Sequence, residues 1–323
     1  LCYIYTGSAL LKGPEWSQTY TAMYYAYNVD QITYPTIKLI YYHPELLKAF
    51  TCLAYYFELL VPVLFFIPYK HGAFRAFAVI LIVLFHFLNS VTLFIGLFPF
   101  IGMVTAVGML PASVMDQFDS RFYKLRIFLS NFYLKIAYRL QYVIAWKRPT
   151  YIHHPVYDKI KTAVLIFLTL FVFDWNFSNI SFINKKLSDD LRFIGYSLRL
   201  DQNWGMFAPG VFKQDGWYVL EGTTKNKKQF NLLEPGKELT FQKPLSIVSM
   251  FKNDRWRKYS ENFIFPENEF MRGYFCNYYS RIWNEKHPEN QISSLKVIYM
   301  EEMTLPDYKY SLPQKRVLWE CGL

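Results

Sequence analysis

Residues 76–111 form an apolar stretch of 36 residues without a single Lys, Arg, Asp or Glu. A bilayer core is crossed by about 20 residues rising ~1.5 Å each, so this stretch is too long for one crossing and reads as two. Asn89, Ser90, Gly96 and Pro99 mark the bend, which predicts one span over 76–93 and another over 96–111. Residues 52–68 make a shorter span that carries one carboxylate, Glu58. A last span is expected over 162–178, closing on Asp174, Trp175 and Asn176, with the aromatic at the interface. Residues 1–11 are too few to span and read as the end of a helix whose start is missing, in a chain truncated at its N-terminus.

Composition enters where it separates the two halves. Of the 323 residues 53% are hydrophobic and 20% aromatic, yet the mean hydropathy is only +0.06, because a charged second half dilutes an apolar first half. The expected fold class is therefore a polytopic α-helical membrane domain over 1–180, followed by a soluble α+β domain over 181–323. In the second half, alternating runs at 217–221, 229–233, 295–300 and 315–319 predict strands, and residues 267–286 predict a helix that stops before Pro288.

The net charge of +10 is concentrated between residues 112 and 161, where nine Lys/Arg face three acids. Placed between apolar spans, that stretch reads as a cytoplasmic loop touching lipid headgroups and not as a nucleic-acid site. The turn at 69–75, with Lys70, His71 and Arg75, falls on the same side by parity, which puts everything after about residue 179 on the periplasmic or luminal face. Cys2, Cys52, Cys276 and Cys321 show no CxxC spacing, so no metal site is signalled; Cys276 and Cys321 could pair in an oxidising compartment. Asn176 and Asn179 each begin a glycosylation pattern, but at the membrane boundary. His153-His154 before Pro155 reads as a solvated loop.

Two segments put ionisable groups into apolar surroundings. Lys12 ends the run Leu10-Leu11 and precedes Gly13-Pro14-Glu15-Trp16. Desolvation disfavours an ammonium, so a lysine held there could act as a neutral base; alternatively it snorkels to the headgroups. His86, Asn89 and Ser90 fall at i, i+3 and i+4, one helical face, which Glu58 of the preceding span could meet. Such a quartet either lines a ligand cavity or hydrogen-bonds helices together.

The order of these motifs resembles the horizontally transferred transmembrane (HTTM) domain family, related to vitamin K-dependent gamma-glutamyl carboxylase. The resemblance rests on Lys12 before Glu15 and Trp16, on Glu58, and on Phe85-His86-Phe87-Leu88-Asn89-Ser90 followed by Leu93-Phe94-Ile95-Gly96-Leu97-Phe98. In the second half, Leu200-Asp201-Gln202-Asn203-Trp204-Gly205-Met206-Phe207-Ala208-Pro209 and Asp215-Gly216-Trp217-Tyr218 resemble the bacterial members. The resemblance implies a quinol-driven carboxylase (a lyase) in which Lys12 takes a proton from reduced vitamin K. Oxygenation then gives a strong base, and carbon dioxide is added to a peptide glutamate. It implies His86, Asn89, Ser90 and Glu58 as cofactor-binding residues, with oxygen and carbon dioxide as co-substrates, membrane lipid as partner and no metal. The chain departs from the carboxylase pattern in having one lysine instead of two adjacent ones, and a shorter soluble half. Two other readings use the same residues: a quinone-linked membrane oxidoreductase, and a non-catalytic scaffold or lipid-binding protein.

Overall fold

A computed structural model describes residues 2–143, 155–178, 187–201, 205 and 207–322. Residues 144–154 of the basic stretch, which include His153-His154, and Asn179 and the central part of the 200–209 motif lie outside the described residues. The helices are α1 (Cys2–Leu11), α2 (Pro14–Ser17), α3 (Ala22–Ala26), α4 (Lys38–Tyr41), α5 (Pro44–Leu64), α6 (His71–Thr92), α7 (Phe98–Val107), α8 (Ala112–Arg121), α9 (Tyr123–Val143), α10 (Pro155–Ser178), α11 (Asp189–Leu198), α12 (Asp254–Phe263) and α13 (Phe270–Lys286). The strands are β1 (Gln214–Thr224), β2 (Gln229–Asn231), β3 (Ile292–Leu305), β4 (Lys309–Tyr310) and β5 (Gln314–Gly322).

Among the described residues two helices, Pro44–Leu64 and Gly72–Thr92, are long and apolar enough to cross a membrane, consistent with a membrane protein. Leu53, Leu60, Ile80 and Leu84 on these helices are exposed, as lipid-facing side chains would be. The spans expected at 96–111 and 162–178 are not among these two helices. The first is the ten-residue α7, after which the chain turns by 94° into α8 across a break ending at Pro111. The second lies in α10, a 24-residue helix in which Lys161 and Asp174 bound a run of 12 uncharged residues. The basic stretch read as a loop is largely helical, as α8 and α9. Residues 112–146 contain neither Gly nor Pro to break a helix.

Compactness divides the chain into two units. One comprises residues 1–12, 56–82 and 105–208; the other comprises 13–55, 83–104 and 209–323.

The second unit is organised by an antiparallel sheet with β3 at its centre, paired to β1 on one side and to β4 and β5 on the other, while β2 extends β1. Side chains alternate across a strand, so successive residues of β1 serve opposite faces. Tyr218 and Leu220, with Leu295, Val297 and Tyr299, pack under Phe263, Phe275 and Trp283 of α12 and α13. Trp217 and Val219, with Ile298 and Met300, pack under Ile247. Arg272 is buried without being wasted: its guanidinium donates to the carbonyls of Phe263, Ile264 and Leu318, satisfying the end of α12 and tying it to β5. A Cys276–Cys321 disulfide joins α13 to β5. Four strands and the long helix therefore stand where alternation and spacing put them; α12, capped by Asn253 accepting from the Trp256 N–H, is a helix that the alternation and spacing did not predict.

Candidate functional site

In the first unit, Tyr5, Ser8 and Lys12 recur at three and four residues and share one face of α1 and its end. That face meets Glu58 of α5. The Lys12 ammonium nitrogen is ion-paired with Glu58 Oε2, and the two side chains are 3% and 9% exposed. The Ser8 hydroxyl also reaches the Glu58 carboxyl, and Tyr5 packs edge-on against Phe57 at 5.7 Å. Lys12 is therefore enclosed with an acid and does not reach out to bulk water. Removing one member of such a buried pair leaves an uncompensated charge at a cost of about 3–5 kcal/mol.

Within the first unit, Glu58 meets Lys12. His86, Asn89 and Ser90 belong to the second unit. His86 is buried against Phe98, ring centroids 5.5 Å apart, and over Gly102, where a Cβ would lie 2.2 Å from Nε2. Gly102 thus makes the notch that the imidazole fills. The Ser90 hydroxyl donates to Phe87 O at 2.7 Å within its own helix, and Asn89 is half-buried.

Two of the motifs that carried the resemblance meet in the second unit. The Gly13 N–H donates to Pro209 O at 2.6 Å, Glu15 accepts from the Val211 N–H at 3.2 Å, and Lys213 lies 2.8 Å from Glu15. Pro14 at the first turn of α2 keeps Glu15 and Trp16 pointing from a rigid start.

Sequence reasoning missed a polar assembly in the same unit. The residues 27–34 loop lies against the sheet through the Asp30 N–H to Asp215 Oδ2 at 2.7 Å, and through Gln31 Nε2 to Gly216 O and to Tyr299 Oη. Glycine at 216 lets β1 lie this close to β3, since a Cβ there would sit 2.2 Å from Met300 O. Lys243 bridges Asp30, at 2.5 Å, and Glu302. Burial works against its ammonium, but Asp30 and then Glu302 outweigh that and raise its pKa. The Asp215 carboxyl is pushed up to about 7, first by burial and then by the charge of Asp30.

Beside this assembly opens a cavity of about 430 Å³ with Tyr34, Tyr41, Tyr42, Tyr310 and Lys243 in its wall. The wall is held by hydrogen bonds among tyrosines. Tyr24 donates to Leu305 O at 2.6 Å and accepts from the Tyr308 N–H at 3.0 Å, Tyr308 donates to Tyr41 O, and Tyr41 and Tyr310 both donate to Asn28 Oδ1. The turn that presents Tyr308 has positive φ at both Asp307 (58°) and Tyr308 (57°), a conformation that fits the twist of a tight hairpin. It costs a residue with a side chain of the order of 1 kcal/mol or more, and the bonds of Tyr308 offset it. The signal that could have found this site is the acid in an otherwise apolar strand start, Asp215 before Gly216-Trp217-Tyr218, together with the tyrosine density of residues 24–42. A second cavity, of about 440 Å³, lies on α13 around Tyr274, Tyr278 and Arg281.

Comparison with family models, with curated proteins and with solved structures returns no match to this chain.

Proposed function

We propose that the chain is a carboxylase-like membrane enzyme of the HTTM type, working on a quinol with oxygen and carbon dioxide as co-substrates and glutamate as acceptor. The observation that carries the proposal is the enclosed Lys12–Glu58 pair. Burial in a poorly polarisable surrounding penalises separated charge, which brings the amine–carboxylic acid arrangement closer in energy to the ammonium–carboxylate one than it is in water. With the proton on Glu58, the Lys12 amine is neutral and its lone pair accepts from the Glu58 O–H; released from that bond, Nζ can take a proton. Glu58 then orients the resulting ammonium by accepting from it, and the dry surroundings keep water from competing for the proton. The residues present fit a reduced quinone to this extent: a buried primary amine with an acid to hold it is a donor set suited to removing a phenolic proton. When bound, the quinol would supply, with oxygen, the strong base needed to deprotonate a glutamate γ carbon.

The Cys276–Cys321 disulfide supports placing the sheet-bearing part on the oxidising, extracytoplasmic side of the membrane. A membrane-impermeant thiol reagent applied after mild reduction is expected to label these two cysteines in sealed cells.

Purified protein, reduced vitamin K, a glutamyl peptide and labelled bicarbonate test the activity. Epoxide formation with label incorporation is expected, and Lys12→Ala should lower both by about 10²–10⁴-fold, the usual contribution of a positioned proton acceptor. Quinone turnover without incorporation would favour the oxidoreductase instead. Full activity in Lys12→Ala, or no turnover at all, would refute the catalytic role.

A further inference from the structure

The register of the sheet sets Asp215 of β1 directly opposite Glu302 of β3. Like charges facing each other across a ladder are destabilising, yet the 27–34 loop brings a third acid, Asp30, to the same place. One carboxylate oxygen from each of the three lies within 4.8 Å of the other two. Lys243 brings one positive charge, bonded to Asp30 and Glu302, which leaves an excess of two negative charges when every acid is ionised. Asp215 is 1% exposed, and its Oδ1 has no hydrogen-bond partner among the described residues. A buried carboxylate oxygen left in that state calls for a ligand.

We propose that Asp30, Asp215 and Glu302 form a site for a divalent hard cation, Ca²⁺, which enters by displacing the Lys243 ammonium. The donor set is oxygen only, which selects hard cations over the nitrogen- and sulfur-seeking metals. Ca²⁺–oxygen bonds of about 2.3–2.6 Å let ligand oxygens stand up to roughly 5 Å apart across the ion, a span that holds all three of these oxygens; Ca²⁺ also accepts irregular coordination, whereas Mg²⁺ demands near-ideal octahedral geometry. Exchange of a monovalent for a divalent charge reduces the electrostatic excess. Lys243 has a flexible four-carbon stem and lines the 430 Å³ cavity, and its nitrogen is already 5.1 Å from the Tyr310 ring centroid, so the cavity offers it an aromatic resting place. A site that must expel a lysine should bind in the range of about 10⁻⁴–10⁻³ M typical of extracellular calcium modules. The inference goes beyond the Lys12 reading and stands without it, because all four residues lie in the second unit and the test reads metal binding instead of turnover.

The full chain in detergent or nanodiscs, stripped with chelator, is titrated with Ca²⁺ alone by calorimetry and by thermal melting. Binding near the millimolar range is expected for the wild type, at least tenfold tighter binding for Lys243→Met, and at least tenfold weaker binding for Asp215→Asn. Asp215→Asn should melt in chelator no lower than the wild type, which separates loss of a ligand from loss of the fold; should Lys243→Met not fold, Glu302→Gln provides a second ligand variant and is expected to bind at least tenfold more weakly. The proposal is overturned if the wild type gives neither heat nor a melting shift, even where Lys243→Met binds, or if Asp215→Asn titrates like the wild type.

Discussion

Lys12 and Lys243 are both held by acids, but in different proportions. Lys12 meets one carboxyl and is closed off with it, whereas Lys243 stands among three, is about a third exposed, and borders a cavity. A one-to-one pair is neutral in either proton arrangement, so a proton can pass between its members without a change of net charge. A three-to-one cluster keeps a negative excess whatever Lys243 does, so its chemistry is attraction of further positive charge. Local stoichiometry thus separates two acid-held lysines that the same residue type would make look alike.

The sharpest way to break this contrast is to remove the acids one at a time. Glu58→Ala should cost about 3–5 kcal/mol in unfolding experiments in detergent, because it strands a buried ammonium, and Lys12→Met combined with Glu58→Leu should recover most of that loss. If the single and double variants are equally unstable, the pair is not the balanced unit described above.

Asp215→Asn should act in the opposite direction. In chelator at pH 7 it is expected to stabilise the fold by a few kcal/mol, because the amide keeps the shape and removes the charge. The pH dependence has a definite sign. A carboxyl whose folded pKa is raised from 3.8 to about 7 keeps its proton in the folded state while the unfolded chain releases its own, so stability is greatest below pH 4 and falls as pH rises toward 7. Melting curves of the wild type between pH 4 and 7 should show that decline, and those of Asp215→Asn should show a flatter one; parallel curves would remove the excess-charge account.

The smallest effect is expected at the cavity wall. Tyr24→Phe loses the bond to Leu305 O and the bond from the Tyr308 N–H, a loss of about 1–2 kcal/mol, without altering any charge in the cluster. Calcium affinity in this variant should change less than twofold, as calorimetry would show; a larger change would mean that the tyrosine wall and the acids act as one element.

Much of the sheet was legible because alternation is a local signal: the runs at 217–221 and 295–300 lie inside β1 and β3, and the aromatic spacing of 270–282 lies inside α13. Glu58 was legible as an anomaly but not as a partner of Lys12, since 46 residues separate them and only the shared face of Tyr5, Ser8 and Lys12 hints at the approach. Of the acid cluster only Asp215 was legible, as an acid at an apolar strand start; strand register and a distant loop assemble the rest, and no ligand spacing in the chain announces it. Within 96–111 the sequence did not foretell the bend: apolar content speaks to solvent but not to direction, and the chain turns by 94° between α7 and α8.

The division of the chain carries a practical consequence for anyone preparing the protein in pieces. The strands and their two covering helices follow residue 209, yet the loop that seals Asp215, Gly216 and Tyr299 is contributed by Asp30 and Gln31, and Tyr41 and Asn28 anchor the far hairpin. A fragment cut at the apparent end of the apolar half would therefore expose a raw seam of acids and phenols, and an excised C-terminal portion should be made with residues 13–55 supplied in trans or fused to it.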